Sequence, residues 1–176
     1  KLLSHIGINR QRLALEWVSA AEAPRYVEIV KSFTERIRAL GPLGISEGMD
    51  SEVLSRKLKA AKTLSQQEKF RWILGKWTEF AKEGNAYGEI FTNHELNRLS
   101  QGLMTEDLQA HEILQLLENE SLSAKEIAQR LELSPAQVLN HIAALRRRIL
   151  VDLKEVKQGS PHYMLHQKEE EKHNGC

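Results

Sequence analysis

Hydrophobic positions recur with helical spacing along most of this 176-residue chain, and strand-like alternation is confined to a few short stretches. Lys1 to Ile6 reads as the end of an amphipathic helix, with Gly7 where a left-handed C-terminal cap belongs. Leu13, Leu15 and Trp17 then alternate with Ala14, Glu16 and Val18, which predicts a strand. Pro24 suits the first turn of a second helix. That helix carries Tyr26, Val27, Ile29, Val30, Phe33, Ile37 and Leu40, and Gly41-Pro42 stops it. A lone strand is not stable in water, so Leu13 to Val18 is expected to join strands outside this chain or to be satisfied in another way. Together with an opening at Lys1 rather than a methionine, this predicts that the sequence is part of a longer protein.

Gly41 to Gly48 reads as a linker. From Asp50, a predicted N-cap, one long helical pattern runs through Leu54, Leu58, Ala61, Leu64, Phe70, Ile73, Trp77 and Phe80, with a lysine- and arginine-rich opposite face. Gly84-Asn85 and Tyr87-Gly88 are expected to end it. Thr92 to Glu95 forms a capping box opening a short helix through Leu96 and Leu99, which Gly102 is expected to close.

The pattern is richest after Thr105. Leu108, Ile113, Leu116 and Leu117 mark a helix ending near Asn119. Ser123-Ala124-Lys125-Glu126 and Ser134-Pro135-Ala136-Gln137 are capping boxes opening a second and a third helix, with only Glu132-Leu133 as the turn between them. Val138, Leu139, Ile142 and Leu145 are expected to face inward. Leu150, Val151 and Leu153, then Tyr163 and Leu165, predict two strands joined by a Lys157–Pro161 turn. Helix, helix, helix, hairpin is the order of a winged helix-turn-helix. Ile149 stands at the end of the third helix, where a left-handed residue is usual and a β-branched one disfavoured, so an altered or strained junction is expected. The expected fold is mostly α. It comprises an N-terminal strand–helix segment (1–44), a helical connector (45–104), the winged helix (105–166) and a polar tail (167–176).

Composition narrows the function. With 41% hydrophobic and 28% charged residues the chain reads as an ordinary globular protein, and no apolar run is long enough to span a bilayer. The one cysteine, Cys176, excludes an internal disulfide and any all-cysteine metal site in these residues; a cytoplasmic setting is expected. The seven histidines are scattered, without ligand spacing, and there is no phosphate loop, nucleophile elbow or metalloprotease helix. Catalytic, cofactor-binding and metal-binding residues are therefore not expected here, nor is a small-molecule substrate.

In a DNA-binding winged helix the outward residues of the third helix would be Gln137, Asn140 and His141, with Arg146, Arg147 and Arg148 and the hairpin residues Lys154 and Lys157 meeting phosphates. Against this, residues 105–166 hold seven Lys/Arg and nine Asp/Glu, a net of −2, where a phosphate-neutralising module usually shows a basic excess. A protein interface is expected instead at Leu13, Leu15 and Trp17 and at the connector aromatics Trp72, Trp77, Phe80 and Tyr87.

Lys1 to Gly44 resembles the C-terminal end of the methyl-viologen-reducing hydrogenase delta subunit. The residues that carry the resemblance are Leu2-Leu3, Ile6-Gly7-Ile8, Arg12-Leu13, Leu15-Glu16-Trp17-Val18-Ser19-Ala20, Glu22, Arg25-Tyr26, Val30, Phe33-Thr34-Glu35 and Leu40-Gly41-Pro42. Longer members are similar further on, with a helical extension containing Gly84-Asn85 and Tyr87-Gly88, then a helix-turn-helix. The resemblance implies an iron–sulfur electron-transfer subunit that links a hydrogenase or similar electron-input module to a heterodisulfide-reductase-like complex. Its cluster, of the 2Fe–2S type, and the cysteines holding it would lie upstream of Lys1. Leu13 to Val18 would be a late strand of a flavodoxin-like sheet. This segment is then expected to serve assembly and docking with the protein subunits of that complex. The alternatives are a winged-helix DNA-binding transcription regulator whose first hundred residues sense or dimerise, and a fragment without a function of its own.

Overall fold

A computed structural model of the chain describes residues 1–84 and 87–167. These divide into two compact units, one over Lys1–Met104 and one beginning at Thr105. The expected turn residue Asn85 and the polar tail from Lys168 lie outside the described residues.

In the first unit, α1 (Leu2–His5) ends as its sequence predicts. Gly7 takes φ 84°, and the amides of Gly7 and Ile8 donate back to the carbonyls of Ser4 (3.2 Å) and Leu3 (2.9 Å), a paired Schellman closure. A 3-10 turn over Arg10–Arg12 follows. Residues 13–19 then form neither strand nor helix, so the strand expected at Leu13 to Val18 is absent. Its backbone is extended at Leu13 (φ −126°, ψ 130°), but among the described residues of this unit no second strand stands beside it to complete a ladder. The next helix, α2 (Ala23–Leu40), has proline in its first turn and is capped by Gly41, as expected.

The single helix expected from Asp50 to Phe80 is three: α3 (Ser51–Gln66), α4 (Glu68–Gly75) and α5 (Trp77–Lys82). Asp50 caps α3 as predicted, accepting from the Val53 amide at 2.7 Å. Gln67 then turns extended (φ −66°, ψ 132°) and breaks the helix. A straight helix of that length would carry its apolar stripe far along one line; folding it back packs α3 against α4 and buries Ala60, Ala61, Leu64 and Phe70. Helix α6 spans Asn93–Leu117, so Gly102 does not end it as expected. Glycine costs roughly 1 kcal/mol in a helix interior. Here it sits on the exposed side, while Leu96, Ser100, Met104 and Leu108, four residues apart, are all buried and hold the helix continuous. Thr92 and Glu95 make the predicted capping box at its start.

The second unit contains the end of α6, then β1 (Leu122–Ser123), α7 (Ala124–Leu131), α8 (Pro135–Arg147), β2 (Val151–Lys157) and β3 (Ser160–Leu165). Both predicted capping boxes form, at Ser123/Glu126 and Ser134/Gln137. The three strands make one antiparallel sheet in the order β1-β3-β2. The short β1 leaves no mark in the hydrophobic pattern; it pairs Leu122 with Tyr163 and Ser123 with His162. The core gathers Ile113 and Leu117 from α6, Ile127 from α7, Val138, Ile142 and Leu145 from α8, and Val151 and Tyr163 from the hairpin. Leu139, expected inward with them, is instead 46% exposed. Its position on the helical wheel falls between the inward row and the outward face.

The wing turn is tighter than the expected Lys157–Pro161. It consists of Gln158 and Gly159, both at positive φ (50° and 78°), the two-residue form whose twist matches the flanking strands. Pro161 lies inside β3 opposite Val156. Because β1 covers only His162 and Tyr163, β3 has an open side at Pro161 for its missing N–H. The junction after α8 is strained, one of the two outcomes expected. Ile149 sits at φ 55° and completes a second Schellman closure, its amide donating to Arg146 (2.9 Å) and that of Leu150 to Leu145 (3.0 Å).

Candidate functional site

The first unit is organised around a residue that periodicity does not reveal. Arg12, at the end of the 3-10 turn, donates to both carboxylate oxygens of Glu47 (2.7 and 3.3 Å) and to Ser46 Oγ (2.7 Å). It also donates to the carbonyls of Gly41 (2.8 Å), Leu40 (3.2 Å) and Pro42 (3.2 Å). Five acceptor groups on one planar guanidinium tie the end of α2 and the Gly41–Gly48 loop to the turn. Glu47 in turn accepts from the amide of Gly44 (2.9 Å). The Arg12 hydrogen bond holds the Glu47 carboxyl below the usual carboxylate range, and those from Gly44 and Asn9 add to it. An acidic side chain between Gly44 and Gly48 is the only trace of this in the sequence.

Arg12 thereby fixes where the next residues leave the unit. Leu13, Leu15 and Trp17 stand 68%, 79% and 82% exposed. Among the described residues, the backbone from Ala14 to Val18 makes no hydrogen bond; the next is Ser19 N–H to the Glu22 carboxylate at 2.8 Å. The helix that follows has no buried residue, and Tyr26, Val27 and Val30 on it are exposed. A segment that is extended at Leu13 and has unpaired backbone from Ala14 to Val18, leading into a helix with exposed Tyr26, Val27 and Val30, is chemically an incomplete strand–helix unit.

The connector aromatics differ in their surroundings. Trp72 and Phe80 meet edge to face at 5.8 Å, and Phe80 meets Phe91 at 6.3 Å. Trp77 lies under the Lys1 ammonium, 4.2 Å from the ring centre, and that ammonium also donates to Asn97 Oδ1. Trp72 and Tyr87 are exposed, whereas Trp77 and Phe80 are half-buried.

On the second unit, Gln137, His141 and Lys157, three of the residues expected at a nucleic acid, are engaged within the protein. Gln137 Oε1 accepts from the Ser134 amide (3.0 Å) and hydroxyl (2.9 Å). His141 Nε2 lies 2.9 Å from Gln109 Oε1, and burial pushes its pKa down, so it is neutral near pH 7. Lys157 pairs with Glu155 at 3.0 Å. Asn140, Arg147 and Arg148 remain exposed. His162 Nε2 reaches Glu126 Oε2 at 3.3 Å and so ties β3 to the capping box of α7. The Glu126 carboxyl is held low by its hydrogen bonds from Ser123.

No three His, Cys, Asp or Glu side chains come together among the described residues. With one cysteine in 176 residues, this chain does not fit a cysteine-held iron–sulfur cluster. No helix among the described residues is long and apolar enough to cross a membrane.

Residues 1–41 match the family model of the methyl-viologen-reducing hydrogenase delta subunit, and residues 112–154 match a helix-turn-helix domain. Over 42 residues the chain is 43% identical to an F420-non-reducing hydrogenase iron-sulfur subunit of Archaeoglobus profundus, a stretch that covers 24% of this chain and 31% of that protein. Over 43 residues it is 44% identical to the F420-non-reducing hydrogenase vhu iron-sulfur subunit of Methanopyrus kandleri, covering 24% of this chain and 33% of that one. The chain thus spans about a third of the length of these curated relatives. No solved structure matches it significantly. The chain is therefore similar to the hydrogenase delta-subunit family over residues 1–41 and to a helix-turn-helix domain over residues 112–154.

Proposed function

We propose that this chain is the assembly and docking part of an iron–sulfur electron-transfer subunit that links a hydrogenase, or a similar electron-input module, to a heterodisulfide-reductase-like complex. The observation that carries the reading is the coincidence of the delta-subunit match with the incomplete strand–helix unit: Leu13, Leu15 and Trp17 project outward inside the matched residues. Leu13 to Val18 then completes a flavodoxin-like sheet contributed by polypeptide outside these 176 residues, and α2 covers one face of that sheet. The 2Fe–2S cluster belongs to that same outside part, since a single cysteine cannot hold one. The test is purification of the tagged protein from its native source, with hydrogenase and heterodisulfide-reductase-like subunits identified by mass spectrometry. Leu15→Asp is expected to abolish their recovery. Recovery of the tagged protein without hydrogenase subunits would refute the reading.

The second reading, a DNA-binding transcription regulator, is favoured by the helix-turn-helix match at 112–154. It is opposed by the engagement of Gln137, His141 and Lys157 and by the net charge of −2 over 105–166. A salt-dependent mobility shift with duplex DNA, weakened by Arg147→Ala, would establish it; no shift at low salt would remove it.

A further inference from the structure

The geometry of the second unit points to a docking groove for an acidic amphipathic helix of a partner protein, formed by the outward face of α8 and the depression it shares with β2. The inference rests on the docking reading above and names the chemistry of one contact within it.

The helical wheel of α8 separates two faces. Val138, Ile142 and Leu145 are buried; Asn140 and Arg147 lie opposite them, and Ala136, Leu139, Ala143 and Arg146 run along one flank between, all exposed. A helix face left to water is ordinarily polar. Here one flank of it is Ala136, Leu139 and Ala143: one apolar knob between two small residues, which lets a second helix approach closely. The stripe leads through Arg146 into a depression of about 520 Å³ lined by Arg146, Asp152, Leu153, Lys154, Met164 and Gln167. Leu153, exposed on β2 although paired across the sheet with buried Tyr163, and half-buried Met164 supply apolar surface there.

Charge identifies the occupant. Among the described residues, Arg146, Arg147 and Lys154 belong to no ion pair. The one carboxylate in the depression, Asp152, is turned to His166 Nδ1 at 2.6 Å. An apolar track rimmed by unneutralised cations complements a helix with leucines along one face and carboxylates on its flanks. Duplex DNA fits less well, because Ala136, Leu139 and Ala143 offer it no hydrogen-bond donor and, with Gln137 and His141 engaged, Asn140 alone of the three expected base-reading residues is left for it.

The test is fluorescence anisotropy on the full chain with three labelled probes. These are an amphipathic helical peptide of leucines flanked by glutamates, the same peptide with lysines for glutamates, and a duplex DNA. The glutamate peptide is expected to bind about tenfold more tightly than the lysine peptide, and to weaken as salt is raised. Leu139→Glu, and separately Arg146→Glu, should each weaken it by about tenfold, while Gln137→Ala leaves it unchanged. Circular dichroism checks that each variant is folded, and Ala143→Glu on the same face replaces Leu139→Glu should that variant unfold. No binding of the glutamate peptide, equal binding of the lysine peptide, tighter binding of the duplex, or indifference to Leu139→Glu would each overturn the inference. None of these measurements uses a hydrogenase subunit, so the two proposals fail separately. Peptide binding without recovery of hydrogenase subunits sinks the subunit reading, and the converse sinks the groove.

Discussion

Ile149 offers a direct test of how backbone geometry limits the stability of the second unit. It occupies the position in its Schellman closure that Gly7 occupies in the first, at φ 55° against 84°. A side chain in the left-handed region costs about 1–2 kcal/mol through its Cβ. Ile149 is 64% exposed, so it recovers little of this by burial. Replacing it by alanine and by glycine removes the same contacts, but only glycine removes the Cβ. Glycine loses roughly 0.5–1 kcal/mol more backbone entropy on folding. The difference leaves Ile149→Gly more stable than Ile149→Ala by about 0.5–1 kcal/mol, the reverse of their order inside a helix. All three tryptophans precede Thr105, so tryptophan fluorescence does not report on this unit. Native-state hydrogen exchange of the Val138, Ile142 and Leu145 amides does, and it should be about threefold slower in Ile149→Gly than in Ile149→Ala. Equal exchange, or slower exchange in Ile149→Ala, would refute the assignment of strain to Ile149.

Three further outcomes rest on geometry already described. Burial lowers the pKa of His111 and His141 below the ordinary 6.5, so between the lowered value and 6.5 the unfolded chain binds more protons than the folded one. Stability of the second unit is thus complete above about pH 6.5 and declines as pH falls below it; His141→Gln should flatten that decline in urea titrations at pH 7.5 and 5.5. Ser123→Ala removes a side chain that caps α7 and should cost about 1 kcal/mol, read as a lower urea midpoint. Arg12→Met should lower the melting temperature of the first unit, followed by tryptophan fluorescence, well beyond Arg25→Met, whose exposed pair with Glu22 leaves both partners in water. Equal melting temperatures would show that Arg12 is not the hub described.

Local chemistry was legible wherever its two ends lie within a few residues. The caps at Asp50, Thr92, Ser123 and Ser134 need only a side chain and an amide three residues on, and all four form. The left-handed Gly7 was readable for the same reason, whereas at Ile149 the spacing marked the position and left open whether the junction is altered or strained. The break at Gln67 was not, because Gln-Gln-Glu contains no residue that forbids a helix; folding back is driven by the burial of Leu64 and Phe70. Gly102 misled in the opposite direction, since tertiary burial of its neighbours outweighs its intrinsic cost. The Arg12–Glu47 hub joins residues 35 positions apart, a pairing that no spacing rule encodes. For the interface residues, exposure separates Leu13, Leu15 and Trp17 from Trp77 and Phe80, and helical or alternating periodicity cannot make that distinction.

Two of the open backbone edges among the described residues are guarded very differently. Strand β2, at the rim of its sheet, carries Asp152, Lys154 and Lys157 and an irregular register between Leu153 and Glu155, devices that discourage edge-to-edge growth. Ala14 to Val18 has one charge, Glu16, no proline and no bulge, between the exposed Leu13 and the cap of α2. An extended, apolar, unprotected edge is a template for pairing with copies of itself. Produced alone and concentrated, the chain should therefore polymerise through this segment, and Leu15→Lys should keep it dispersed.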